Sequence, residues 1–408
     1  MDNKGRGAMI AGVLNSFIFV FSFLFVLSAL VFFHELGHYS VARFFKISVE
    51  KFSIGFGKPI FRRKAKSGTE WVIGRIPLGG YVKFLGDAGV ASNPDREHLK
   101  ALKSQMDSKY GKDAWKSCFH FKPLYQRALV VVAGPVANFL LAIVLFAILA
   151  FAYGTYSSKA VIAKVDPASP AEKAGLLVGD AFIEIDGKKA STIQAVQKIV
   201  TLHSGDKLSV LVDRDGKQVE LFVTPVKAVS KDGVGGNYEG GKIGVSLAAG
   251  HYEKKTYGPI AALAYGGYSV YDSLASTGTY LRRLIVGKED GKALGGIVKI
   301  AAITGKVGID AVNTEGSARE RIEALFARLL SLAAVLSVGL GFANLMPIPV
   351  LDGGHLLYYG YEAVMRRPLG EKAQEIGYRI GFAVLITLFL VLTWNDIGYV
   401  PSLFENAG

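Results

Sequence analysis

Cysteine is almost absent: Cys118 stands alone among 408 residues, so no internal disulfide can form and no metal site can be built on thiolates. Acidic residues are scarce as well, 34 against 47 Lys and Arg, which leaves a formal net charge of +13. A basic balance can signal nucleic acid, but these cations sit beside apolar spans and no nucleic-acid-binding motif accompanies them. The expected partner is therefore the lipid bilayer with its anionic headgroups, and no nucleic acid is expected. No inverted repeat is visible, which counts against a transporter. What the chain has in abundance is apolar: half of it is hydrophobic, which argues against a single soluble domain and for a protein that crosses a membrane several times. Any metal has to be held by histidine and carboxylate.

Long apolar runs lie at about Ile10 to Phe33, Ala128 to Phe151 and Leu329 to Leu351, with a weaker one at Ile380 to Trp394. Lys4 and Arg6 precede the first, as in a signal peptide, but the run is too long for one and shows no small-residue cleavage site, so it reads as a retained span. The second contains Gly134-Pro135-Val136-Ala137-Asn138, suited to close packing and a kink; Asn138 needs a hydrogen-bond partner there. Ordinary packing accounts for that cluster, and support of a neighbouring functional helix is the alternative. Residues 258 to 285 carry Asp272 and several Ser, Thr and Gly, which predicts an interfacial helix rather than a fifth span.

The first run closes on His34-Glu35-Leu36-Gly37-His38. On a helix His34 and His38 share a face one turn apart and can hold one zinc ion, with Glu35 beside them as general base for attack of water on a carbonyl. A catalytic zinc takes three protein ligands and keeps one position open, so a third must come from elsewhere. Asp352, after the third run in Leu351-Asp352-Gly353-Gly354-His355, is the first candidate, and His355 is its rival. With one crossing between them, the first and third spans run in the same direction, and motifs at their C-terminal ends reach the same side of the membrane. A crossing by residues 258 to 285 would separate them. His98, His120, His203 and His251 lie in polar segments and read as ordinary surface residues.

Residues 46 to 127 hold 17 Lys and Arg against 7 Asp and Glu, many close to span ends, which predicts a cytoplasmic loop. It opens strand-like, and Gly74-Arg75-Ile76-Pro77-Leu78-Gly79-Gly80-Tyr81 predicts a tight hairpin turn between Trp71–Ile76 and Tyr81–Phe84. Its edge, at Gly79, Gly80 and Tyr81, could pair with an extended substrate, or the hairpin could serve only as a cap. Residues 87 to 120 read as surface helix or loop. The glycine-rich stretch Gly233 to Gly241 reads as a surface loop.

From Lys159 to Ser246 the composition turns soluble. Ser169-Pro170-Ala171-Glu172-Lys173-Ala174-Gly175-Leu176, then Gly179-Asp180 and Asp186-Gly187, resemble a bacterial PDZ domain. With H-E-L-G-H in the first span, Gly-Pro-x-x-Asn in the second, this domain, and Asn344-Leu345-Met346-Pro347-Ile348-Pro349-Val350-Leu351-Asp352-Gly353-Gly354 in the third, the chain resembles the bacterial site-2 proteases over nearly its whole length. The resemblance implies a polytopic α-helical membrane protein of about four transmembrane helices, with a membrane-associated β-hairpin and an inserted α+β PDZ domain. It divides the chain at 1–158, 159–246, 247–328 and 329–408. It implies zinc on His34, His38 and Asp352, Glu35 as catalyst, and Asn344 near the substrate backbone. It also implies substrates that are transmembrane proteins, such as anti-sigma factors already trimmed by another protease, and remnant signal peptides. The location implied is the inner membrane, with zinc near the cytoplasmic face and the PDZ domain outside, either filtering or recruiting substrate. The alternative is a silent membrane adaptor that binds peptides through that domain. The chain has room for one such domain where the best-known relatives carry two, and Ile297 where many carry proline.

Overall fold

In a computed structural model, described at residues 3–86, 96–231, 236–249 and 253–404, the chain order is as follows. Helix α1 (Asn3–Phe44) leads into strands β1 (Val49–Lys64) and β2 (Glu70–Phe84), then α2 (Arg96–Tyr110) and α3 (Leu124–Tyr153). A β-rich stretch follows: β3 (Thr155–Ser157), β4 (Ala160–Val165), α4 (Pro170–Lys173), β5 (Ala181–Ile185), β6 (Lys188–Lys189) and α5 (Ile193–Leu202). It continues through β7 (Leu208–Arg214), β8 (Lys217–Val223), β9 (Val226–Lys231), β10 (Asn237–Lys242), β11 (Val245–Ala249) and β12 (Glu253–Lys255). Five helices close the chain: α6 (Pro259–Ile285), α7 (Ile297–Val312), α8 (Ala318–Asn344), α9 (Asp352–Met365) and α10 (Glu371–Phe404).

Among the described residues four helical stretches are long and apolar enough to cross a membrane: Asn15–Phe44, Leu124–Tyr153, Ala318–Asn344 and Lys372–Pro401. Helix α6 is formed where expected and is not among them. The first helix runs through the histidine motif to Phe44, between the closing cations Arg43 and Lys46, so His34 and His38 lie in its last turns. Of the four stretches α3 is the most enclosed and the last is the least.

The chain divides into two compact units. In the first, Met1–Leu145 with Thr304–Val391, β1 and β2 form a hairpin whose turn lies at residues 65–69, where Ala65 N–H bonds to Thr69 O. The expected turn at 77–80 is instead the interior of β2. Proline and glycine there serve a bend: Lys51–Ile54 pairs with Lys83–Gly80 on one side and lies beside Glu70–Ile73 on the other, so two long strands make a curled sheet of four segments. Gly79 has φ +149, and a Cβ on it would come 3.0 Å from Phe56 Cζ and nearer still to Cε2, so the bend needs glycine.

The second unit, Phe146–Ile303 with Leu392–Gly408, is built on a sheet of order β11-β4-β5-β7-β8, with β6 added to β5. Alternating Leu208, Val210 and Val212 of β7 are fully buried with Ile162, Ile185 and Val223. Ser169 caps α4, accepting from Glu172 N–H at 3.2 Å, with Pro170 in the first turn. The Asp186-Gly187 and Asp215-Gly216 turns have positive φ at both residues, as two-residue hairpins require. Of the glycine-rich stretch, 233–235 lie outside the described residues, and 237–241 are strand β10 paired with β9 rather than loop.

Candidate metal centre

The histidines are presented by α1 and steadied from behind by α3. Gly37 and Gly134 let the two helices touch: a Cβ on Gly37 would fall 2.7 Å from Ala137 Cβ, and one on Gly134 would fall 2.6 Å from His38 Cε1 and 2.8 Å from His34 Cε1. His38 Nδ1 donates to Val130 O at 2.9 Å, leaving Nε2 as a lone pair. His34 Nδ1 lies 3.1 Å from the Asn138 amide nitrogen as assigned, while Asn138 Oδ1 is buried with no partner. Exchanging the amide O and N lets Oδ1 accept from His34 Nδ1–H and leaves Nε2 bare as well. The partner that Asn138 requires is thus a histidine of the motif. Ser337 of α8 ties the same helix by donating to Asn138 O at 2.7 Å.

Asp352 comes from the start of α9. Its two following glycines are dictated by packing, because a Cβ on Gly353 or Gly354 would run into the backbone of Leu345 and Met346 or of Ile348 and Pro349. With the helix seated there, Asp352 Oδ2 lies 3.2 Å from His34 Nε2 and 3.6 Å from His38 Nε2, and the two Nε2 atoms are 3.2 Å apart. Three acceptors face one another, and Asp352 Oδ2 is buried without a hydrogen-bond donor. The donor set fits a zinc ion: ligand atoms about 2.0–2.1 Å from a tetrahedral centre stand about 3.3 Å apart, close to the edges of this triangle. Among the described residues this is the cluster of His, Cys, Asp and Glu able to hold a metal. His355 is not part of it; its ring stands edge-on to Tyr358 at 6.4 Å between centroids.

Glu35 is buried next to the histidines, and the Val82 amide of β2 is within hydrogen-bonding reach of its carboxylate. Gly80 makes this approach possible: a Cβ there would lie 2.8 Å from Val31 Cγ1 and 3.0 Å from Glu35 Cγ. Tyr81 is turned the other way, stacked on Phe56 at 6.3 Å. In the sheet the Gly80–Phe84 segment has a strand partner on one side, Val49–Ile54. Asn344 is the last residue of α8, half-buried and outside the triangle. His203, in the second unit, bonds through Nδ1 to Ile199 O; the side chain of His98 and residue His251 lie outside the described residues. The partners missed from sequence are Val130, whose contribution is a carbonyl, and the pair Arg127–Glu362, separated by most of the chain.

Residues 22–388 match the family model described as Peptidase family M50. A protein named as a zinc metalloprotease in Rhizobium meliloti is 40% identical over 384 residues, 93% of this chain and 96% of the relative. One so named in Mesorhizobium japonicum is 41% identical over 378 residues, 92% and 97% of the two chains. Metalloprotease MmpA of Caulobacter vibrioides is 38% identical over 381 residues, 93% and 95%.

Proposed function

We propose that this chain, which belongs to peptidase family M50 and is a zinc metalloprotease, hydrolyses peptide bonds inside the membrane-spanning segments of other proteins. One observation carries the reading: the His34, His38 and Asp352 ligand atoms converge on a helix that is itself apolar enough to span a membrane. Buried ionisable groups in such a position are costly and call for a function.

His34, His38 and Asp352 would hold the zinc, which would supply a Lewis acid to polarise the scissile carbonyl and acidify water. Glu35 takes the proton of the attacking water and returns it to the leaving nitrogen. A helical substrate has its amides tied into its own backbone and must be drawn out before it can be cut. The Gly80–Phe84 segment, held against Glu35, supports a role as the strand that receives the extended substrate, with Gly79 giving the bend and Gly80 the close approach. Tyr81, facing Phe56, shapes the same edge, and Asn344 meets the substrate backbone from the end of α8.

The sheet of the second unit, with its capped α4 and its Asp-Gly hairpins, supports assignment of residues 159–246 as a PDZ domain. The basic balance of residues 46–127 supports a cytoplasmic placement of the β1–β2 hairpin and hence of the zinc, in the inner membrane, with the PDZ domain outside. Substrates in this reading are membrane proteins already trimmed on the outside, anti-sigma factors and remnant signal peptides among them. The PDZ domain acts as a filter: deletion of residues 160–246 should leave trimmed substrate cleaved and admit untrimmed substrate. Loss of cleavage of the trimmed form by a deletion protein that still binds zinc would mean recruitment instead.

The test of the main reading is to reconstitute the full chain in liposomes with a single-span peptide and to map the products by mass. Cuts within the apolar segment, blocked by a chelator and restored by zinc, are expected. Cuts confined to the water-exposed flanks would refute it.

A further inference from the structure

Four positions on one face of α3, at the helical spacing 127, 130, 134 and 138, address the metal centre. Val130 O fixes His38, Gly134 lies against both imidazoles, and Asn138 meets His34. The remaining position, Arg127, is bonded to α9. Its guanidinium donates to Glu362 Oε1 at 2.6 Å and lies 5.1 Å from the ring centre of Tyr359, both on α9, while its Nε is anchored on Lys122 O at 3.2 Å. Arg127 and Tyr359 are both buried.

We propose that Arg127 is a positioning residue for the metal centre, holding α9 through Glu362 and Tyr359 so that Asp352 meets the two histidines. The proposal rests on Asp352 being the third ligand. Helix α9 is short, with 14 residues, and Asp352 opens it. Its N-terminus is seated by Gly353 and Gly354, which fixes where the helix begins but leaves its rotation to contacts farther along. A side-chain carboxylate stands about 5 Å from the helix axis, so a rotation of about 10° moves it about 1 Å. Ligand placement tolerates only about 0.5 Å. Tyr359 is two turns from Asp352 on the same face, and Glu362 lies one turn beyond it. A guanidinium gripping both sets rotation and height together. Lysine, a point charge without the planar fork, can do only part of this.

The test uses the full chain in detergent, with the Zn²⁺ dissociation constant and the visible spectrum of the Co²⁺-substituted protein as readouts. Removing one partner of a buried pair can unfold a protein, whereas replacing both by apolar residues of similar size is often neutral. The double variant R127M/E362L is therefore expected to fold. It should bind Zn²⁺ about 10- to 100-fold more weakly, the range for lost outer partners of metal ligands, and shift the Co²⁺ bands as the carboxylate withdraws. R127K should fall between it and the parent, and it decides the matter on the same readouts if the double variant does not fold. A folded R127M/E362L, or R127K in its place, with parental Zn²⁺ affinity and Co²⁺ bands would overturn the proposal. D352A is measured alongside: parental Zn²⁺ affinity in D352A would refute the ligand assignment itself, whereas loss in D352A alone would refute only the role of Arg127.

Discussion

Replacing Gly134 by alanine adds one methyl group, and at this position it would meet both histidines. The new Cβ would lie 2.6 Å from His38 Cε1 and 2.8 Å from His34 Cε1, and closer still to His38 Nε2. Carbon contacts become comfortable near about 3.6 Å, so the rings or the helices must part by about 1 Å. Parting the helices would give up the close α1–α3 packing at Gly37, where a Cβ would lie 2.7 Å from Ala137 Cβ. The rings cannot swing freely, since His38 is held on Val130 O and His34 on Asn138. A displacement of this size exceeds what a metal site tolerates, and a loss of zinc affinity of at least about 100-fold is expected, about 2.8 kcal/mol. Competitive chelation of the purified full chain measures it. Gly339→Ala in α8, where the added methyl meets nothing within 4 Å, is the control and should leave affinity unchanged. Zinc affinity in Gly134→Ala within about threefold of the parent, well short of the loss expected of a disturbed ligand shell, would refute this account of the site.

Two further outcomes follow from other parts of the chain. Gly80→Val should abolish cleavage while leaving zinc content intact, because the side chain would collide with Val31 and Glu35 rather than with a ligand; full activity would remove the strand edge from the mechanism. In the second unit burial works against the Asp180 carboxylate, but hydrogen bonds from Arg214 at 2.7 and 2.8 Å and from Leu177 N–H outweigh it and hold its pKa below the usual range. A depressed native value stabilises above the unfolded pKa of about 3.9, and the benefit is lost as pH falls through the native value. Asp180→Asn should therefore cost about 1–2 kcal/mol at neutral pH, since Arg214 is partly exposed, and progressively less below about pH 4, read by hydrogen exchange in β5 and β7. A cost that does not change with pH would show that the charge is not responsible.

The spans were legible because twenty apolar residues in a row have few other uses, and the histidine motif because its spacing is a statement about one helical face. The pairing of Asp352 with that motif was legible only through the direction of the spans. Other features were hidden for physical reasons. Pro77, Gly79 and Gly80 look like a turn, yet their glycines serve bending and the close pass of β2 over Glu35, which depends on a helix remote in sequence. Helix α7 was not assigned: its Gly305 and Gly308 lower helix propensity, and what favours it is contact with Phe19 and Ser22 of α1. Ile297 is its first residue, a position where proline is also tolerated. Asp396 is fully buried near the end of α10, and its carboxylate accepts from Gly296 and Lys299 N–H at the start of α7, a cap supplied from another helix that no local pattern could reveal.

The central claim is that zinc sits on His34, His38 and Asp352 and that Glu35 moves the proton. Bound zinc and cleavage of a single-span peptide, measured on the same preparations of Glu35→Gln and Asp352→Ala, test it most directly. Glu35→Gln is expected to keep zinc at the parental level and to lose cleavage by about 10²- to 10⁴-fold, because a base is removed and no ligand is. Asp352→Ala is expected to lose the metal itself. Parental cleavage by Glu35→Gln, or full zinc in Asp352→Ala with loss in His355→Ala, would contradict the account.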